Sequence, residues 1–214
     1  MKAIYKEDCR ACPRLATFLD DVHQRHPEYW CRPVPPFGAM DARLLIVGLA
    51  PGMHGANRSG RPFTGDHAGI LLYRTLYEFG FGSRPDAVSV DDGLALYDAR
   101  ITNAVKCLPP DNKPVGAEIN TCNDYLANEL QTLQSGSVVI ALGGIAHRAI
   151  IKALGLRQAG YAFGHAAEHE LSNDIRLLDS YHCSRYNTNT GRLTDAMFRG
   201  VFARARELLD KTVQ

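Results

Sequence analysis

Short apolar segments alternate along this chain with longer segments of helical periodicity, and no other feature constrains the fold as strongly. Four segments are typical of strands: 43–49, 99–105, 138–142 and 175–178. Four others repeat their apolar residues at helical spacing: 69–79, 117–133, 145–154 and 193–209. Alternating strands and helices form a mostly parallel sheet that is covered on both faces. The sequence therefore predicts an α/β fold.

Length and charge narrow the class of protein further. The 214 residues predict a single domain, because chains of roughly 100–200 residues usually form one core. The longest apolar runs, 44–50 and 138–142, fall far short of the roughly 18 residues that a membrane span needs, and 1–10 lacks the apolar core of a signal peptide. We therefore expect a soluble, cytoplasmic protein without a membrane partner. The 24 basic residues nearly balance the 23 acidic ones, so the protein has no overall positive field and any contact with nucleic acid must be local.

Polar and glycine residues follow each predicted strand, at the sheet edge where such folds bind ligands. The first strand leads into the glycine-rich loop 48–66, the second ends near Asn103, and the third is followed by Gly143 and Gly144. The fourth leads into a segment with His182 and Arg185. Loop 48–66 has neither the Gly-Lys-Ser/Thr of a Walker loop nor the glycine spacing of a dinucleotide fingerprint. The pattern indicates a ligand site at one edge of the sheet.

Each polar residue at this edge has two interpretations. Asp66 either caps the helix that begins near residue 69 or acts as a catalytic base. Asn103 is either a turn residue or an amide that reads the edge of a base, since it offers both a donor and an acceptor. For His182, a site role is favoured over a place in the core. Phe63 is expected to be exposed, because the surrounding segment is too polar to bury it.

Four of the six cysteines have the spacing of a metal site. Cys9 and Cys12 form a C-x2-C pair, and Cys107 and Cys122 lie far downstream. Four thiolates suit either zinc or an iron–sulfur cluster, whereas isolated cysteines are often small buried apolar residues. The spacing favours a metal site over plain core packing.

Together these motifs resemble the uracil-DNA glycosylase superfamily, and most closely its family 5, the type-b branch. The resemblance rests on four segments: the amino-terminal C-x2-C, loop 48–66 with Arg-Pro-Phe-Thr-Gly-Asp, the Thr-Asn-Ala-Val-Lys-Cys strand, and 181–194. It implies a three-layer α/β/α sandwich. It also implies an enzyme that flips a deaminated base out of DNA and hydrolyses its N-glycosidic bond, which leaves an abasic site. A further implication is a structural 4Fe-4S cluster on Cys9, Cys12, Cys107 and Cys122.

The resemblance also assigns roles to the residues at the sheet edge. Phe63 would stack on the extruded base, Asn103 would read its edge, and His182 would donate a hydrogen bond to the leaving base. Asp66 would orient the attacking water, with His54 and Asn57 as helpers. The implied DNA contacts are basic residues around the mouth of the site: Arg58, Arg61, Lys113, Arg185 and Arg192.

Two departures from better-known branches bear on mechanism and specificity. Leu49 and Ala50 stand where those branches carry an acid, so another group, Asp66, must orient the water. Ala50 and Gly52 are expected to border the base, and Gly52 replaces a bulky aromatic that excludes thymine in the strict uracil branch. The space that Gly52 leaves in the pocket predicts removal of hypoxanthine as well as uracil.

Two other functions stay open from the sequence. One is a uracil-restricted glycosylase of the related family 4, which also carries four such cysteines. The other is an iron–sulfur protein that binds or senses DNA without cleaving it. The expected partner is double-stranded DNA, with single-stranded DNA as an alternative, and the expected state is a monomer.

Overall fold

A six-stranded mixed sheet forms the centre of the computed structural model, which describes residues 3–211. The strands are β1 (Phe37–Gly38), β2 (Leu44–Gly48), β3 (Ala99–Asn103), β4 (Val138–Leu142), β5 (Glu168–Glu170) and β6 (Arg176–Ser180). Their spatial order is β1-β3-β2-β4-β6-β5. The four central strands are parallel, and β1 and β5 pair antiparallel at the two edges.

Helices cover both faces of this sheet. The α-helices of the described residues are α1 (Pro13–Arg25), α2 (Ala56–Ser59), α3 (His67–Glu78), α4 (Gly116–Leu130), α5 (Gly144–Ala153), α6 (Arg185–Asn189) and α7 (Asp195–Lys211). On one face, Leu44 and Ile46 of β2 share a core with side chains of α3 and α7. On the other face, Leu45 and Val47 share a core with side chains of α4 and α5. Because β2 is buried on both faces, its sequence is continuously apolar instead of alternating.

The strand register brings the carboxyl ends of the parallel strands to one edge of the sheet. Gly48 of β2 is paired with Asn103 of β3, and Leu142 of β4 is paired with Ser180 of β6. β2 lies between β3 and β4, so the chain leaves β2 towards one side of the sheet and later returns to its other side. Such a switch point opens a crevice beyond the strand ends, which is where doubly wound folds bind ligands.

The α/β prediction is confirmed, with all four predicted strands and all four predicted helices present within a few residues of their expected bounds. Helix α1 was not predicted. It begins with Pro13, whose fixed φ suits the first turn of a helix. An ion pair between Arg14 Nε and Glu118 Oε1 (2.7 Å) joins α1 to the start of α4. This contact fixes the amino-terminal segment against the sheet domain.

Within residues 3–211, no helix is both long and apolar enough to cross a membrane.

Candidate functional site

A pocket of about 250 Å³ opens at the carboxyl edge of the sheet, beyond β2, β3 and β6. Most of the residues that the sequence assigned to base binding or catalysis line it. The lining comprises Leu49, Ala50, Gly52, Phe63, Asp66, His67, Ala68, Asn103, Asn112, His182, Ser184 and Arg185. Residues from four separate parts of the chain therefore meet in one cavity.

Asn103 ends β3 with its side chain packed beside Gly48. The side-chain oxygen of Asn103 is buried and has no hydrogen-bond partner within the described residues. A Cβ atom at position 48 would lie 2.4 Å from that oxygen, so only glycine at the end of β2 leaves room for the amide. An unpartnered buried polar atom is rare in folded proteins, and in a pocket it indicates a ligand group that completes the pair.

Phe63 forms an aromatic wall of the pocket. The side chain is only 6% exposed and packs into the core, which corrects the expectation that it is exposed. Its backbone is left-handed, with φ of 58°, a conformation that costs a non-glycine residue of order 1–3 kcal/mol. Neighbouring residues hold this backbone in place. Tyr73 Oη donates to Pro62 O (2.5 Å), and Phe63 O packs so closely on Gly69 that a Cβ atom there would lie 1.9 Å away. The ring is therefore fixed before any ligand binds.

His182 lies opposite Phe63, with 6.2 Å between ring centroids and 27° between ring planes. Burial in the pocket lowers the pKa of His182 to about 4, and no hydrogen bond from the described residues offsets it. The backbone is fixed by Asn187, whose Nδ2 donates to His182 O (2.8 Å). At neutral pH this residue is therefore an uncharged imidazole that presents one N–H donor and one acceptor to the pocket.

Asp66 occupies the N-cap position of α3, but its side chain does not cap the helix. The carboxylate points instead towards loop 48–66, where Ala56 N donates to Asp66 Oδ2 (3.1 Å). Burial raises the pKa of Asp66, although the Ala56 N–H and the positive charges of Arg58 and His54 partly oppose this. Of the two interpretations of Asp66, the geometry favours an acid that faces the pocket.

Two glycines make space for this carboxylate. A Cβ at Gly52 would lie 2.4 Å from Asp66 Oδ1, and a Cβ at Gly55 would lie 2.0 Å from Asp66 Cγ. Any larger side chain at position 52 would have to displace the carboxylate. The glycine at 52 and the acid at 66 are therefore structurally dependent on each other.

The two predicted helpers of Asp66 do not line the pocket. His54 is exposed, and its Nδ1 lies 2.9 Å from the hydroxyl of Tyr29. Asn57 is fully buried behind the loop, where its Nδ2 contacts Cys31 Sγ at 3.5 Å. A catalytic role for these two residues stays a prediction.

The predicted DNA-contacting arginines separate into exposed and buried ones. Arg58 and Arg185 are exposed and line a second groove that continues from the pocket. Arg192 is also exposed, and its guanidinium lies 4.8 Å from the ring centroid of Tyr181. Lys113 is exposed and follows Asn112, a pocket residue. All four side chains are therefore exposed, and their contact with DNA stays a prediction.

Arg61 does not fit the predicted role in DNA binding. It is 4% exposed and forms a bidentate ion pair with Asp92, with Nη1 to Oδ1 at 3.0 Å and Nη2 to Oδ2 at 2.6 Å. Its Nε donates to Thr64 Oγ1 (2.7 Å), and the guanidinium lies 4.9 Å from the Phe37 ring centroid. All of its charge is compensated inside the protein, so Arg61 fixes loop 48–66 and does not reach phosphate.

The four cysteines with metal-site spacing line one cavity, together with apolar side chains such as Leu15 and Val105. Burial raises the pKa of Cys107, and the charges of the three other thiols raise it further. Cys31 and Cys183 do not line this cavity, although Cys31 shares a small apolar cluster with Cys107. The thiols therefore converge from the amino-terminal segment, the end of β3 and helix α4.

Several pocket residues had no clear signal in the sequence. Asn112 lies in the Pro-Pro-Asp-Asn turn and has a left-handed φ of 56°. His67 begins α3, and its Nε2 lies 3.3 Å from Thr188 Oγ1 of α6. Tyr186 is 71% exposed and sits next to Arg185 at the rim. The adjacency of His67 to Asp66, and of Tyr186 to the His182 segment, is the only sequence signal that could have indicated them.

Comparison with known proteins adds to this geometry. Residues 35–206 match the model of the family described as the uracil DNA glycosylase superfamily. The chain is 46% identical over 205 residues to the type-5 uracil-DNA glycosylase of Thermus thermophilus, covering 94% of this chain and 93% of that protein. It is 42% identical over 202 residues to the type-5 enzyme of Pyrobaculum aerophilum, covering 92% and 88%. The type-4 uracil-DNA glycosylase of Archaeoglobus fulgidus is 33% identical over 139 residues, covering 64% and 56%.

Proposed function

The chain belongs to the uracil DNA glycosylase superfamily, and on that basis we propose that it excises uracil and hypoxanthine from DNA by hydrolysis of the N-glycosidic bond. The product would be an abasic site. The observation that carries this proposal is the unpartnered side-chain oxygen of Asn103, buried in a pocket that also holds Phe63 and His182. An amide at this position pairs with the hydrogen-bonding edge of an extruded base, while the ring of Phe63 supplies the stacking face.

The remaining chemistry follows from how charge develops when the glycosidic bond lengthens. The leaving base becomes negative, and a fixed donor that points at it stabilises the transition state. The neutral imidazole of His182 provides such a donor. The sugar becomes positive, and the carboxylate of Asp66 would favour it while orienting the water that attacks the anomeric carbon.

The proposal of broad specificity rests on Gly52 and on the size of the cavity. Gly52 presents no side chain to the pocket, and the volume of about 250 Å³ has room for a one-ring or a two-ring base. The atom that borders this part of the pocket is an oxygen of Asp66 and not an aromatic ring. Discrimination against a purine would therefore have to come from hydrogen bonding and not from a steric barrier.

We expect the protein, purified without oxygen, to release both uracil and hypoxanthine from otherwise matched duplexes. The measurement is base release with time, with an undamaged duplex of the same sequence as the control. Release of uracil alone would support the uracil-restricted activity of the type-4 branch and refute broad specificity. A failure to release either base, while binding to the duplex persists, would refute the glycosylase proposal and support a binding or sensing protein.

DNA is the substrate that the family implies, and double-stranded DNA is the form we propose. Contacts would come from Arg58 and Arg185, which line the groove beside the pocket, and from the exposed side chains of Arg192 and Lys113. With so few local cations, the affinity for DNA is expected to fall only modestly as salt rises. We also propose that Tyr186, which is exposed and follows Arg185 in the chain, contacts the duplex where the base has left. One subunit carries the whole pocket, so we propose that the protein acts as a monomer in the cytoplasm.

We also propose a 4Fe-4S cluster on Cys9, Cys12, Cys107 and Cys122. The donor set fits, since all four thiols line one cavity and four thiolates are the ordinary ligands of such a cluster. We prefer an iron–sulfur cluster to zinc because the cysteine motifs resemble those of family 5. When bound, it would connect the amino-terminal segment to the sheet and take no part in hydrolysis.

Substitution of Cys107 by Ser is expected to remove the visible absorbance of the cluster and to lower the midpoint of urea unfolding, because one ligand and the connection to α1 are lost. The matched control is Cys31→Ser, outside the cavity. Absorbance and iron content are measured in both variants. Retention of a complete cluster in the Cys107 variant would refute the ligand assignment.

A further inference from the structure

Three side chains that can bind a metal meet beside β6, and none of them lines the pocket or the cysteine cavity. His147 lies on α5, His169 on the edge strand β5 and Asp179 on β6. One donor atom from each lies within 4.8 Å of the other two. His147 Nδ1 is 2.8 Å from Asp179 Oδ1, and His169 Nε2 is 3.4 Å from Asp179 Oδ2. We refer to these residues as the His–His–Asp group.

The hydrogen bonding of His147 directs its Nδ1 towards Asp179. Its Nε2 lies 2.9 Å from the backbone oxygen of Tyr161, and a carbonyl only accepts, so Nε2 carries a hydrogen. At 2.8 Å from the Asp179 carboxylate, which only accepts, Nδ1 also carries a proton, and a metal ion would bind at Nδ1 by replacing that proton. A backbone carbonyl that receives the second ring N–H is the usual support of a histidine that binds a metal.

A single proton cannot complete the hydrogen bonding of all three side chains. A proton on Nδ1 of His147 would join that ring to Asp179, but His169 Nε2 is buried and has no hydrogen-bond partner within the described residues. Asp179 and His147 are both at most 1% exposed, and Asp179 Oδ2 also accepts from Gly164 N (3.4 Å), so the unpartnered atom of the group is His169 Nε2. One divalent ion would bond to all three donor atoms at once.

We propose that His147, His169 and Asp179 bind a divalent transition-metal ion, with Zn²⁺ as the preferred species. Two imidazoles and one carboxylate suit Zn²⁺ better than Mg²⁺ or Ca²⁺, which prefer oxygen ligands. The side chain of His169 is 15% exposed, so solvent reaches the group from the edge of the sheet and can supply a fourth ligand. The ion would join α5, β5 and β6 and stiffen the strand end, since Asp179 stands three residues before His182.

The test uses the full chain with its iron–sulfur site loaded, so that the cysteines do not compete for zinc. Equilibrium dialysis with Zn²⁺, followed by elemental analysis, is expected to give one Zn²⁺ per chain. X-ray absorption at the zinc edge is expected to show nitrogen and oxygen neighbours at about 2.0–2.2 Å and no sulfur at about 2.3 Å. A sulfur shell, or no bound zinc, would overturn the proposal and leave the group as a hydrogen-bonded ion pair.

A ligand variant and a matched control complete the test. His169→Gln changes a partly exposed edge residue and is expected to weaken Zn²⁺ binding by at least about tenfold, as lost metal contacts do. His165→Gln serves as the control, because it changes a histidine of the preceding loop that lies outside the group. Unchanged zinc affinity in the His169 variant would refute the assignment. Because zinc content and not base release is measured, failure here leaves the glycosylase proposal untouched.

Discussion

Replacement of His182 by Ala is expected to lower the rate constant for uracil release by about 10²–10³, the usual loss when one donor to a developing negative charge is removed. This loss is expected because we propose that the neutral imidazole donates to the leaving base. The substitution leaves the peptide oxygen that accepts from Asn187 in place, so the segment keeps its backbone contact.

Single-turnover release, at enzyme concentrations above the DNA dissociation constant, separates this loss from weaker binding. His23→Ala is the matched control, since His23 is exposed on α1 and does not line the pocket. Iron content and duplex affinity are measured alongside and are expected to stay near the wild-type values. Normal single-turnover rates in the His182 variant would remove this residue from the mechanism.

Much of the fold follows directly from the pattern of apolar residues. Strands buried on both faces carry continuous apolar runs, as in Val138–Leu142, and the covering helices carry apolar residues at helical spacing. The edge strands were not predictable in this way. β1 has two residues and β5 has three, and such short segments have too little periodicity to distinguish a strand from a loop.

The carboxyl-edge rule located most of the site, but it could not say which charged side chains are buried. Arg61 looked like a phosphate contact because its partner, Asp92, lies 31 positions away in a different segment. In the same way, Glu129 is fully buried on α4 and lies 3.1 Å from Arg100 and 3.2 Å from Lys106. Residue type and local sequence do not show a partner that lies far away in the chain. A buried arginine or lysine therefore looks the same in the sequence as an exposed one.

The structure connects two departures that the sequence presents as separate. Loss of the acid from the loop after β2 and the presence of Gly52 look like independent changes. In three dimensions the carboxylate of Asp66 occupies the space next to Gly52 that any side chain at that position would need. A bulky residue at position 52 would therefore require the Asp66 carboxylate to move. We propose that the wider pocket and the use of Asp66 both depend on this packing.

Conversion of Asp66 to Asn is expected to lower the rate constant for base release by about 10²–10⁴, the range typical of a lost general base. Asparagine has the same shape but no negative charge, so it neither favours the cationic sugar nor accepts a proton from water. Asp124→Asn, an exposed change on α4, is the matched control. Single-turnover release from the uracil duplex is the measurement. An unchanged rate would leave Asp66 with only a structural role beside Gly52 and Gly55.

The pH profile separates a catalytic carboxylate from a merely structural one. Because burial raises the pKa of Asp66, the wild-type rate is expected to fall as the pH drops through a value above the ordinary range for aspartate. His182 contributes no fall near pH 6.5, because its pKa lies at about 4 and the ring is already neutral there. The residual activity of the Asp66→Asn variant should then be independent of pH across that acid limb. If the limb persists unchanged in the variant, another group holds the water, and Asp66 acts only through packing.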